Sequence, residues 1–144
     1  MTMTIVSIAR YALLSCVAAL SILSAGCSKP APPTADGVLA SLRSAGVELT
    51  DVRRPPRDPS SPLPNSYTER VEFSLPVVAP KGGQVFVCDK PEHCDAIHAY
   101  FQVLKALAGP YIYRSKSGVV VAQLNSGLEP AAAEKFGAVI QSLP

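Results

Sequence analysis

The sequence predicts an α+β fold. About three helices should cover one face of a roughly five-stranded, mainly antiparallel sheet, as a small two-layer sandwich. Three observations carry this expectation. Segments with apolar side chains at two-residue spacing alternate with segments at i, i+3, i+4 spacing. Turns rich in Gly and Pro separate them. The chain has 144 residues, 48% of them hydrophobic, which suits one domain plus a targeting segment. The element order reads αβββαββα.

Asp36 to Ala45 places Val38, Leu39 and Leu42 on one helical stripe and ends at Gly46, a suitable C-terminal stop. Val47 to Val52 reads as a short strand. Residues 53–65, RRPPRDPSSPLPN, hold five prolines and can be neither helix nor central strand. They form a long loop inside the domain, of the kind that is often functional or mobile. Tyr67 to Leu75 alternates, with Tyr67, Val71, Phe73 and Leu75 on one face and Thr68, Arg70, Glu72 and Ser74 on the other. Pro76 then points to an edge strand or a bulge. Pro80-Lys81-Gly82-Gly83 is a turn and Gln84 to Cys88 a strand.

The best-marked helix comes next. Asp89 and Glu92 suit a capped first turn, and Ile97, Tyr100, Phe101, Leu104 and Ala108 recur at helical spacing until Gly109-Pro110. Tyr111 to Arg114 and Val119 to Leu124 form a hairpin around Ser115-Lys116-Ser117-Gly118, packed under that helix. The second of these strands is apolar on both faces, which predicts an interior place in the sheet. Pro130 opens a last helix with Ala132, Phe136, Val139, Ile140 and Leu143 as its core face.

The N-terminus bears on location. Arg10 is the only charge in residues 1–26, and an apolar stretch from Tyr11 to Leu23 is followed by small residues. This is the layout of a secretory signal peptide, and the stretch is short for a spanning helix of about 20 residues. It ends in Leu23-Ser24-Ala25-Gly26-Cys27. That ending resembles the lipobox of bacterial lipoproteins, with the usual Leu moved one place forward to Leu23. The resemblance covers the leader alone. It implies a diacylglyceryl group on the Cys27 thiol, cleavage before Cys27 and a further fatty acyl (palmitate-type) group on the new N-terminus. Such acyl chains anchor a protein firmly. Ser28, where Asp would retain the protein in the inner membrane, implies the outer membrane, facing the periplasm. The expected division is a signal peptide at 1–26, a lipidated Cys and Pro-rich tether at 27–35, and one α+β domain at 36–144.

After residue 26, 118 residues remain, with 12 basic and 11 acidic side chains. A net charge this small argues against nucleic acid as a partner, because such binding is driven by many Lys and Arg on phosphates. The patterns of phosphate loops, dinucleotide folds, zinc proteases and nucleophile elbows do not occur in the sequence.

Chemistry could reside in Cys88-Asp89-Lys90-Pro91-Glu92-His93-Cys94 and in His98. A disulfide between Cys88 and Cys94 is the favoured reading, since exported domains mature in an oxidising compartment. A metal site is the alternative. Cys94 and His98 stand one helical turn apart, Cys88 could close from the strand, and thiolate with imidazole suits Zn or Cu(I). However, this Cys spacing is not that of a known metal motif. Thiol redox chemistry usually uses C-x-x-C, which is not present, and no oriented base for a catalytic Cys is visible. Arg53, Arg54 and Arg57 form a small basic group, and Tyr111 and Tyr113 an aromatic strand face. Solvated loop and sheet packing are the expectations for them.

The functional expectation is a membrane-anchored lipoprotein with a non-enzymatic, periplasm-facing domain. It would need no cofactor and would bind an envelope partner, expected to be a protein. The alternative is a periplasmic metal- or thiol-redox-handling protein using Cys88, Cys94 and His98.

Overall fold

The computed structural model describes residues 31–144. The signal peptide, Cys27 and residues 28–30 of the tether lie outside them. The element order is that expected: α1 (Ala35–Ser44), β1 (Thr50–Arg53), β2 (Glu69–Ser74), β3 (Gly82–Val87), α2 (Pro91–Ala108), β4 (Tyr111–Arg114), β5 (Val120–Leu124) and α3 (Pro130–Ser142), with a 3-10 turn at Pro76–Val78. The sheet runs β1-β2-β3-β5-β4 and every neighbouring pair is antiparallel.

Helix α1 starts where Thr34 Oγ1 accepts a hydrogen bond from Gly37 N at 3.1 Å. Ala35 is fully buried and its N–H donates to Glu69 Oε2 at 3.2 Å. Folded structure therefore begins at Thr34 and Ala35, inside the expected tether. Helix α2 starts differently from the expectation. Pro91 occupies its first position, Lys90 precedes it and makes no side-chain cap. Proline needs no partner for its nitrogen and has φ preset for a helix, so it replaces the cap that Asp89 was expected to make. Gly109, at φ 61°, ends α2 in a left-handed conformation that other residues resist.

The layering corrects the sequence reading. Helices α1 and α3 cover one face, packing Val38, Leu39, Leu42, Phe136 and Ile140 against Val71, Phe73, Val85, Val87, Val120, Ala122 and Leu124. Helix α2 lies on the other face, where Ile97 and Phe101 meet Phe86 and Val121. Helices on a single face, as a two-layer sandwich requires, are therefore not what the chain adopts. The reason is topological. Strands β3 and β4 run parallel with β5 between them, so the chain joining them must cross over one face. Helix α2 is that crossover, while α1 and α3 are free to take the opposite face.

Three further differences follow from packing. Tyr67 lies just before β2 and turns its ring to Phe86, 5.4 Å between centroids, on the face opposite Val71 and Phe73. Pro76 comes after β2 has ended, so β2 is an inner strand despite it. The edge is β1, where the register shifts and Asp51 has φ 48°. Such a bulge twists an edge away from further pairing. In α3, Ala133 is buried in place of the expected Ala132. Strand β5 is interior, as expected, and the β4–β5 hairpin packs against α2.

Gly137 allows α3 to approach β4. A Cβ there would lie 2.2 Å from Tyr113 Cε1. Alanine normally stabilises a helix by about 1 kcal/mol over glycine. Here overpacking costs about 1–3 kcal/mol, so the clash should win. Gly137→Ala is expected to lower the urea midpoint of the parent protein, but to raise that of a Tyr113→Ala variant. A rise from Gly137→Ala alone would show that the ring moves aside freely.

Candidate functional site

Strand β3 delivers Cys88 at its end, held by a hydrogen bond from Cys88 N to Val119 O at 2.9 Å. The first turn of α2 delivers Cys94. Their sulfurs are 2.10 Å apart, at disulfide distance, and both side chains are buried beside Ile97 and Phe86. The bridge staples the crossover to the strand it leaves. Sulfurs joined in this way are not available as metal ligands. Among the described residues no three His, Cys, Asp or Glu side chains gather in a metal-holding group.

The two histidines diverge. His93 is exposed and its Nδ1 lies 2.6 Å from Asp89 Oδ1, one turn back. That hydrogen bond holds the Asp89 carboxyl below its ordinary pKa. His98 is half-buried, with Nε2 3.2 Å from Gln102 Nε2. Burial lowers its pKa, the Arg114 guanidinium adds to the effect, and Asp95 opposes it. It therefore favours the neutral form, without a cysteine sulfur to share.

The three loop arginines do not act as one basic patch. Arg53 Nε donates to Glu72 Oε2 at 2.9 Å, and Arg54 pairs with Asp36. Arg57 donates to Tyr67 O and stacks over the Tyr67 ring, 4.9 Å from its centroid. Leu63 is buried against the same cluster as Tyr67. The Pro-rich loop is thus fastened across the second face of the sheet. Tyr111 and Tyr113 pack against the α1–α3 side, and Tyr111 Oη donates to Leu128 O at 3.0 Å. Burial raises the Tyr113 pKa.

One arrangement was not read from the sequence. Helix α2 covers β4, β5 and the Phe86 part of β3 on the second face. The rest shows a row of polar side chains crossing four strands: Arg53 on β1, Glu72 on β2, Gln84 on β3 and Gln123 on β5, each beside the next in register. Gln84 Nε2 donates to Gln123 Oε1 at 2.9 Å. Arg70 joins the row, with Nε donating to Gln84 Oε1 at 3.0 Å and Nη2 to Glu72 Oε1 at 2.5 Å. Its guanidinium also lies 5.5 Å from the Phe86 ring centroid. Beside the row is a polar cleft of about 300 Å³, reached also by Lys81 and Asn125. The alternation in β2 did put Arg70 and Glu72 on a polar face. The signal for the row as a whole lies in strand pairing, which one strand cannot reveal.

Two outcomes test these assignments. Reducing the disulfide reopens a short loop and should cost about 2 kcal/mol, seen as a Tm several degrees lower. An unchanged melting curve would count against a stabilising bridge, and a rise on adding Zn²⁺ to reduced protein would favour metal binding. Within the polar row, Glu72→Leu strips the partner from Arg70, whose side chain is 18% exposed. Leaving that half-buried cation unpaired should cost on the order of 1–3 kcal/mol in urea unfolding. Arg53→Ala, at a side chain 74% exposed, should cost less than about 0.5 kcal/mol. Equal costs would mean that the row is not held together through Glu72.

Compared with protein-family models, curated proteins and solved structures, the chain matches none.

Proposed function

We propose that this protein is a bacterial lipoprotein, anchored through Cys27 in the outer membrane, whose α+β domain faces the periplasm and binds an envelope partner without catalysing a reaction. The observation that carries the reading is the Leu23-Ser24-Ala25-Gly26-Cys27 sequence, followed within a few residues by a folded domain. The Cys88–Cys94 pair supports it, because thiols persist as disulfides in exported proteins and are kept reduced in the cytosol. No described helix is long and apolar enough to cross a membrane.

Recognition is favoured over chemistry by what the domain presents. On the open half of the sheet stand two arginines, a glutamate and two glutamines, paired with one another across the strands. These side chains offer planar donors and acceptors at fixed positions, the equipment of a polar binding surface. A protein is the partner that such a broad, shallow surface suits best.

The anchor is tested directly. Cys27→Ser should abolish fatty-acid labelling in growing cells and leave an uncleaved or soluble form. Labelled, membrane-bound Cys27→Ser protein would overturn the proposal.

A further inference from the structure

We infer that the domain meets its own membrane end-on, with the cleft lined by Ala31, Ser117 and Pro144 and the neighbouring Lys116 set against the lipid headgroups. The inference rests on the lipid anchor proposed above and adds to it an orientation and a contact surface.

The argument begins with how little free chain there is. Thr34 caps α1, and Ala35 is buried and hydrogen-bonded to Glu69. Just before them, Ala31, Pro32 and Pro33 form one wall of a cleft of about 480 Å³. Asp89, Ser117, Val119 and Pro144 form the other wall. Two consecutive prolines stiffen this segment. From Cys27 to Ala31 there are four residue steps, which span at most roughly 14 Å when fully extended. An acylated Cys27 sits at headgroup level, so the Ala31 end of the domain is held within that distance of the lipid.

That end of the molecule is held together by hydrogen bonds. The turn after β4 is tied to the end of α3, with Lys116 N donating to Leu143 O at 3.3 Å and Ser117 Oγ to Pro144 O at 2.6 Å. It also carries two exposed lysines, whose ammonium groups can pair with lipid phosphates. Lys116 and Lys90 are exposed there, beside the carboxylates of Asp89 and Glu92 at the start of α2. The strand register defines the two ends. Val87 pairs with Val120 at the near end and Gly83 with Leu124 at the far end. At about 3.4 Å per residue, those pairs are separated by roughly 14 Å. Val77 follows β2 at the far end and is 76% exposed, so it marks the side turned away from the membrane.

The sequence contains no tryptophan, so a single introduced indole reports its own position. Full-length acylated protein carrying Lys116→Trp or Val77→Trp would be placed in phosphatidylethanolamine–phosphatidylglycerol vesicles with a headgroup-attached nitroxide. Acylation is read by mass spectrometry and binding by vesicle flotation on the same preparation. Most of the emission should be lost at position 116 and little at position 77. A flexible Gly-Ser insertion between Pro30 and Ala31 should abolish the difference. Equal quenching in acylated, floated protein would overturn the orientation while leaving the anchor standing. So would position 116 being shielded from both the nitroxide and aqueous iodide, which would place a second copy of this chain at this end. An unacylated chain that fails to float would overturn the anchor and the orientation together.

Discussion

Strand β5 carries apolar side chains on both of its faces, and each face has to be kept from water. Val120, Ala122 and Leu124 point to one side and Val121 to the other, all fully buried. Burying a Val or Leu side chain contributes about 1.5–3 kcal/mol, so neither face can be left open without losing much of the marginal stability of a small domain. Phe86 on β3 imposes the same demand on its neighbour. The answer is a sheet covered twice at β3, β5 and β4, with α1 and α3 on one side and α2 on the other. The parallel relation of β3 and β4 places the crossover helix where the second cover is needed.

The cover on the second face is smaller than the sheet, and two local devices hold it in place. The Cys88–Cys94 bridge ties the first turn of α2 to the end of β3, so that Ile97 and Phe101 are aimed at Phe86. The Pro-rich loop adds Leu63 and brings the chain to Tyr67 on the same patch. Arg57 fastens it through the Tyr67 carbonyl and ring. A segment with five prolines cannot join the sheet ladder, yet it can lie across the sheet at little entropic cost because its unfolded form is already stiff. Its composition is thus consistent with a fixed cover.

What remains uncovered is the part of the second face spanning β1, β2 and the far ends of β3 and β5. Its polar row satisfies the rule that half-buried polar groups find partners: among the described residues no buried side-chain nitrogen or oxygen lacks one. Arg70 has a structural part as well, because its guanidinium lies over the Phe86 ring while its nitrogens serve Glu72 and Gln84. The same face therefore passes from a dry cluster under α2 to a hydrogen-bonding surface beyond it. The proposed anchor would hold the opposite, Ala31-bearing end of the strands near the lipid.

The sequence by itself determined the element order, the interior position of β5, the turn glycine that ends α2 and the two cysteines placed to pair. These are local properties. Periodicity of two or 3.6 residues, the missing N–H of proline and the left-handed tolerance of glycine are set within a few residues of chain. It also carried the lipobox-like pattern at Cys27, which belongs to chemistry rather than to fold. Only the tertiary structure decided which face each helix covers, because an apolar helix stripe is equally satisfied by either side of a sheet that is apolar on both. It alone turned Tyr67 away from Val71 and Phe73, and it sent Arg53, Arg54 and Arg57 to three separate partners. The row from Arg53 to Gln123 is likewise invisible along the chain: its members lie up to 70 positions apart and become neighbours only through strand register, which long-range pairing sets.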